Sequence, residues 1–207
     1  MLINCISLHA SVYFHANIST IILFGTNRMN NNPLRIGDTL PEFKNLPGVD
    51  GRTYSSSDFR DDALIIVFSC NHCPYVQAYE DRMKALHASY QAKNVQLVAI
   101  NSNDETNYPD DSFDNMKERA EARGFRFPYL RDGDQRVAGQ FGATHTPQFF
   151  LFDKNKKLRY SGKMDDNWKE PDAVKEKYLV EALDAVLAGN EVKVPETFSI
   201  GCTIKWK

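Results

Sequence analysis

Apolar residues run without a break over positions 63–68, Ala-Leu-Ile-Ile-Val-Phe. A run this short and this rich in β-branched residues predicts a strand buried on both faces, as in a parallel sheet. The period then changes. Val76, Tyr79, Met83, Leu86 and Tyr90 recur at helical spacing, with Glu80, Asp81, Arg82 and Lys84 between them, which predicts an amphipathic helix. Positions 95–100, Val-Gln-Leu-Val-Ala-Ile, form a second buried-strand candidate. Strand, helix and strand in that order predict a right-handed βαβ unit.

The rest of the chain continues the alternation. Residues 112–123 predict a helix with Phe113, Met116 and Ala120 on one side and Gly124 as its stop. Residues 128–130 are short and extended, and 134–141 predict a brief helix ended by Gly142. Residues 148–152 form an apolar strand, and the turn at 153–156 leads into 158–160 as a hairpin. Residues 172–188 have the length and composition of a last helix, ended by Gly189 and Asn190. Near the start, 40–43 and 49–52 read as extended pieces around the tight-turn dipeptide Asp50-Gly51, predicting an N-terminal β-hairpin. The order βαβα followed by ββα predicts an α/β fold, a central mixed β-sheet flanked by helices. One domain over 33–190 is expected, with an N-terminal extension at 1–32 and a C-terminal tail at 191–207; no internal repeat or low-complexity linker divides it.

Composition narrows the classes. The 207 residues carry 25 Lys+Arg against 27 Asp+Glu, a net charge of -2, with 42% hydrophobic and 25% charged residues. That is a globular profile. Near-neutral charge gives no electrostatic reason to expect nucleic acid as a partner. No stretch reaches the roughly 18–20 apolar residues that span a bilayer, so no membrane partner is expected. Residues 1–32 hold short apolar pieces such as Ile21-Ile22-Leu23-Phe24, with the first basic side chain, Arg28, after them. A secretory signal has the reverse order. This extension is expected to be poorly ordered, with Met29 as an alternative start and Cys5 incidental. The cytoplasm is the expected compartment, an exported or organellar form being the alternative.

Cys5, Cys70, Cys73 and Cys202 are too few for a disulfide-stapled scaffold. Only Cys70-Asn71-His72-Cys73 is closely spaced, and it falls between the first buried strand and the first helix. The first turn of a helix has unpartnered N–H groups and the positive end of the helix dipole. A thiolate placed there is stabilised over its thiol, and the thiolate is the nucleophile in disulfide exchange. Two cysteines three apart on one helical turn share a face, within reach of a disulfide. Pro74 fits the first helical turn, which needs no N–H from it. Cys70 is thus the expected exposed attacker and Cys73 the more buried resolving cysteine. His72, between them, is a candidate for tuning the redox potential, or else an exposed side chain at a helix start.

Blander readings stand beside these. Two cysteines pack as small apolar residues elsewhere. Structural zinc needs a second pair of ligands, which the sequence does not supply, so no metal is expected. Asp and Asn residues crowd positions 101–115 without the glycine and terminal glutamate of a calcium loop; they read as a loop and a helix cap. Asp165-Asp166-Asn167-Trp168 reads as a polar loop anchored by its tryptophan, or as a rim beside the thiols.

Two stretches carry a family likeness: Phe68-Ser69-Cys70-Asn71-His72-Cys73-Pro74-Tyr75-Val76, and Thr146-Pro147 before Phe149-Phe150-Leu151-Phe152-Asp153. Over residues 36–188 the chain resembles the thioredoxin superfamily, in the peroxiredoxin-like (AhpC/TSA-like) redoxin branch. The tail from Gly201 to Trp206 resembles the end of a small redoxin subgroup with the same Cys-Asn-His-Cys-Pro-Tyr-Val stretch. The resemblance implies a thioredoxin-like fold and a thiol–disulfide oxidoreductase without organic cofactor, using Cys70 and Cys73. Its partners would be a disulfide-containing protein or small molecule and a thiol electron donor. It also implies that Pro147 is cis and that Thr146 and Pro147 form the substrate-facing wall. Ser69 and Asn71-His72 depart from the Trp and Gly-Pro of thioredoxin itself, so redox potential and partner choice do not carry over.

Three further expectations follow. A peroxiredoxin-like thiol peroxidase, an antioxidant role, is the alternative function. However, Cys70 stands where the peroxiredoxin threonine would be, and Pro147 where an arginine is needed, leaving Arg131 as a substitute. A copper chaperone with two cysteines and a histidine, His72 or His145, is the second alternative. Cys202 is either a free tail thiol or a third redox cysteine reaching Cys70 or Cys73 if the tail folds back.

Overall fold

A computed structural model describes residues 33–207; the expected extension at 1–32, with Cys5, lies outside the described residues. The described chain opens with a hairpin, β1 (Leu46–Pro47) antiparallel to β2 (Thr53–Tyr54). Its arms fall outside the expected 40–43 and 49–52. The turn takes up 48–52, with the Gly48 N–H donating to the Arg52 carbonyl at 2.8 Å. Phe43, expected in an arm, is instead a fully buried plug in the core.

The central sheet has five strands: β3 (Ala63–Phe68), β4 (Val95–Asn101), β5 (Tyr129–Arg131), β7 (Gln148–Asp153) and β8 (Leu158–Gly162). Their order is β5-β4-β3-β7-β8. The β3/β4 and β4/β5 pairs are parallel, and β7 runs antiparallel to both β3 and β8, so the sheet is mixed. Every residue of β3 is buried because helices cover both faces. Ala63, Ile65 and Val67 face one core layer, shared with Val76, Tyr79 and Met83 of α1 (Pro74–Tyr90), Met116 of α2 (Phe113–Arg123) and Leu183 of α4 (Tyr178–Leu187). Leu64, Ile66 and Phe68 face the other layer, with Val137 and Phe141 of α3 (Arg136–Phe141). Two-sided burial is what an uninterrupted apolar strand requires.

Two local expectations change. Glu80, read as part of the polar face of α1, is 1% exposed. It accepts from Arg119 at 2.6 Å and pairs with Arg123 at 2.8 Å, tying α1 to α2. The last helix begins at Tyr178 rather than 172. Its expected first turns are drawn off by Asp166, whose carboxylate accepts the Lys175 N–H and whose own N–H donates to the Glu176 carbonyl.

The C-terminal tail is built into the structure. The Thr197 N–H donates to the Ser161 carbonyl on the β8 edge, the Ser161 N–H donates to the Pro195 carbonyl, and the Thr197 hydroxyl bonds that of Tyr160. Ile204 is 3% exposed in the second core layer. Between these anchors β9 (Cys202–Thr203) pairs antiparallel with β6 (His145–Thr146). No helix among the described residues is long and apolar enough to cross a membrane.

Candidate active site

The chain leaves β3 at Phe68 and enters α1 at Pro74, so residues 69–73 turn at the C-terminal end of a central strand. The Ser69 N–H donates to Ile100 O at 2.8 Å, extending the pairing of β3 with β4 by one bond. Pro74 takes the first helical position and Cys73 is the N-cap. Cys70 therefore precedes the helix instead of sharing its first turn.

This one-turn displacement changes the electrostatics. Cys70 is 1% exposed and Cys73 0%, so neither is the exposed attacker expected from sequence. The Cys70 thiol is pushed far above its ordinary value: it donates to the Cys73 sulfur, it is buried, and the Asp111 carboxylate lies nearby. Cys73 is the sulfur whose pKa falls, to about 4, because it receives the Cys70 thiol, the Cys202 thiol and the amide N–H groups of Val76 and Cys202. Protonated, Cys73 donates to the Thr146 carbonyl at 3.2 Å; ionised, it has several donors against that single carbonyl. The helix end contributes only the Val76 N–H, and to its N-cap cysteine rather than to Cys70.

Thr146, Pro147 and Cys202 all converge on the pair. The Thr146 hydroxyl lies 3.3 Å from Cys70 Sγ, and the Thr146–Pro147 peptide is cis. Cys202 Sγ lies 2.8 Å from Cys73 Sγ. Burial and its neighbour Cys73 push the Cys202 thiol up to about 11. The tail thus folds back onto the thiols.

Beneath the turn lies a buried polar network that the sequence reading missed. Asp111 Oδ2 accepts from Asn103 Nδ2 and lies 2.7 Å from His72 Nδ1. Asn71 Nδ2 donates to Asp110 O, and Asn71 Oδ1 accepts the Tyr129 hydroxyl at 3.0 Å. The density of Asp and Asn at 101–115 was the available signal. Its cause is burial under the Cys-Asn-His-Cys turn, not a solvent loop. His72 is held between Asp111 and the ring of Tyr108, stacked at 5.6 Å.

The alternatives lose contacts they need. Arg131 donates to Asn101 O and pairs with Glu105 at 3.6 Å, and among the described residues it makes no hydrogen bond to either sulfur. Cys70, His72 and Asp111 bring a sulfur, a nitrogen and a carboxylate oxygen within 4.8 Å of one another. That set includes a hard oxygen, whereas Cu(I) selects soft thiolates. His145 bonds the Thr144 hydroxyl and stands outside the set. Asp165 and Trp168 anchor their loop on α1: Asp165 accepts from Tyr79 and Arg82, and the Trp168 ring lies 4.3 Å from Tyr75.

The model of the AhpC/TSA family matches residues 36–161. The chain belongs to the AhpC/TSA family. Within this family of redoxins it is 27% identical, over 124 residues, to the thiol-disulfide oxidoreductase ResA of Geobacillus thermodenitrificans (strain NG80-2), a match covering 60% of this chain and 67% of that protein. Crystal structures of two relatives resemble the AhpC/TSA chain over most of its length. An uncharacterized conserved protein from Geobacillus kaustophilus is 41% identical, with a TM-score of 0.79, covering 85% of this chain and 94% of its own. A hypothetical protein from Sinorhizobium meliloti 1021 is 36% identical, with a TM-score of 0.78, covering 85% and 97%. The fold of this AhpC/TSA-family chain is thioredoxin-like.

Proposed function

We propose that the chain is a thiol–disulfide oxidoreductase whose electrons pass through Cys70 and Cys73. The observation that carries this reading is a convergence at the N-terminus of α1: Cys73 is the helix N-cap, and Thr146, before a cis proline, places its hydroxyl 3.3 Å from Cys70 Sγ and its carbonyl 3.2 Å from Cys73 Sγ. A dithiol with one sulfur ionised and the other protonated is ready for two-step exchange. One sulfur attacks a substrate disulfide and releases the first thiol; its neighbour attacks the mixed disulfide and releases the second. The protein ends with a Cys70–Cys73 disulfide, and two electrons have moved to the substrate. A thiol donor reverses the change.

Substrates are disulfides of proteins or small molecules. The Thr146 edge beside the sulfurs favours an extended segment, because a strand can pair with it as β9 does. His72, fixed by Asp111, is proposed to set the position of the turn and so its potential. The ResA relative carries the same activity in its name.

The test is a side-by-side assay of insulin-disulfide reduction and peroxide consumption by the full chain. Disulfide reduction that is lost in both Cys70→Ser and Cys73→Ser is expected. Rapid peroxide turnover with negligible disulfide reduction would replace this reading with a thiol peroxidase.

A further inference from the structure

We propose that Cys202 is a third redox cysteine, delivered to Cys73 by a tail strand that occupies the Thr146 edge where a substrate segment would pair. The inference rests on the reading of Cys70 and Cys73 as the redox pair and adds a partner to it from within the same chain.

Three independent features place Cys202 there. Its register is fixed, with Cys202 opposite Thr146 and Thr203 opposite His145 in the β6/β9 pair. Its sulfur lies 2.8 Å from Cys73 Sγ, and its N–H points at the same sulfur. Its approach also depends on the residue before it. A Cβ on Gly201 would stand 2.1 Å from the Thr146 carbonyl oxygen and 3.2 Å from the Pro147 nitrogen. Only glycine lets the tail backbone come this close.

The tail is held at both ends of this crossing. Thr197 is anchored on β8. On the far side, the Ile204 N–H donates to Thr144 O, the Lys205 N–H to Asn103 Oδ1, and the Lys207 N–H to Gln135 Oε1. In the small sheet, β6 pairs with β9 alone. Without the tail, Thr146 would present an unpaired strand edge beside two thiols, a template for any extended segment that carries a disulfide. The tail takes that place, with its own cysteine where a substrate sulfur would have to lie.

The step conserves atoms and electrons. After the pair has reduced a substrate disulfide, the Cys202 sulfur, having given up its proton, attacks Cys73 in the Cys70–Cys73 disulfide. The Cys73–Cys202 bond forms, the Cys70–Cys73 bond breaks, and Cys70 leaves and takes a proton. The oxidation level is unchanged; the disulfide has moved toward the surface. Cys202 is half-buried, whereas Cys70 and Cys73 are enclosed. A donor thiol then attacks Cys202 and releases Cys73, a good leaving group because its anion is stabilised. A second donor thiol attacks the resulting mixed disulfide, leaving the donor oxidised and all three cysteines reduced.

The test is disulfide mapping of the full chain. Reduced protein is treated with a limiting amount of hydroxyethyl disulfide, quenched in acid, alkylated, digested with trypsin and analysed by mass spectrometry. Cys70 and Cys73 share one tryptic peptide and Cys202 lies in another. The expected product is a cross-link between the two peptides, with fragment ions assigning it to Cys73. Gly201→Val keeps all three thiols but should lose the cross-link and give the Cys70–Cys73 loop instead. Cys202→Ser should give that loop alone. A wild-type product with only the Cys70–Cys73 loop and alkylated Cys202 would overturn the role of Cys202 while leaving the redox pair intact. A cross-link undiminished in Gly201→Val would overturn the placement by the tail strand. Full alkylation of all three cysteines after oxidant would remove both the pair and its partner.

Discussion

Asp111 Oδ1 accepts the backbone N–H of Asn71 at 2.6 Å, although the two residues are 40 positions apart. That bond fixes the turn between the cysteines from below. The carboxylate is fully buried, and it also takes the side-chain amide of Asn103 and faces His72. Burying a carboxylate is tolerable only when its oxygens are satisfied in this way. Its charge also raises the Cys70 thiol.

Asp111→Ala would leave the Asn71 and Asn103 donors without an acceptor. A buried unsatisfied donor costs about 1–3 kcal/mol, so a loss of about 3 kcal/mol in stability is expected from denaturant titration of the reduced protein. The Cys70 pKa should fall at the same time, since a neighbouring negative charge is removed. Stability within about 0.5 kcal/mol of wild type, the range of ordinary surface substitutions, would show that the network does not hold the turn.

The folded-state pKa of Cys73 lies near 4, below the roughly 8.5 of an unfolded cysteine. Between those values the unfolded chain binds more protons than the folded one, so stability rises with pH. The contribution is complete above ~8.5 and is lost as pH falls through the folded value. Cys202 has the opposite sign: its raised pKa, about 11, gives stability that is present below the unfolded value and lost as pH rises through the folded one. The stability gap between reduced wild type and Cys73→Ser should therefore narrow steadily from pH 8 to pH 4. A gap that is flat over this window would mean that Cys73 is an ordinary thiol in the folded protein.

Most of the architecture could be read along the chain because each element has its own signal. The run at β3 is apolar on every residue, and the structure buries it on both faces. Gly124 ends α2 as read, at positive φ, while Ser112, read as the first helical residue, is its N-cap, the hydroxyl accepting the Asn115 N–H. The site was legible in part. The Cys-Asn-His-Cys spacing located the turn, but it did not say which cysteine the helix end would serve. That depended on where α1 starts, and a helix boundary is uncertain by a residue or more. Burial of the sulfurs and of Glu80 had no local signature, and that of Asp111 had only the crowding of Asp and Asn around it. Each follows from a partner far away in sequence, namely the tail, α2 and the turn at Asn71. Charged residues read as a solvated face when their buried partners lie outside the local window.

Asp165 joins the loop after β8 to α1, accepting the Tyr79 hydroxyl at 2.8 Å and Arg82 Nη1 at 2.6 Å. Arg82 also donates to the carbonyls of Asn167 and Trp168. Asp165→Ala would leave a mostly buried guanidinium without its counter-charge. Breaking one partner of a buried pair costs about 3–5 kcal/mol, so a loss near the lower figure is expected given the remaining carbonyl contacts. Trp168 fluorescence should change with it as its tilted packing against Tyr75 loosens. An unaltered unfolding midpoint with unaltered emission would show that the loop is held by other contacts.

Ile204 carries the apolar share of tail docking, and its loss should be felt first in the tail itself. Its side chain is 3% exposed in the core layer that holds Leu64, Ile66 and Phe68, one residue past the β9 strand. Deleting a buried isoleucine to alanine typically costs about 2–5 kcal/mol. Ile204→Ala charges that cost against a short segment whose remaining hold is mainly hydrogen bonds, so local opening becomes cheaper than global unfolding. When the segment opens, Cys73 loses both the thiol and the N–H of Cys202, and its pKa should climb from about 4. Cys202 regains solvent and leaves Cys73, so its pKa should drop from about 11 toward the ordinary cysteine range. The two shifts have opposite signs, which separates tail release from general loosening. Alkylation of Cys202 at mildly alkaline pH should therefore speed up, and amide hydrogen exchange at Ile204 should quicken, while the β3 amides stay protected. Equal acceleration in β3 would mean that the substitution unfolds the whole domain and that the tail is no separate unit.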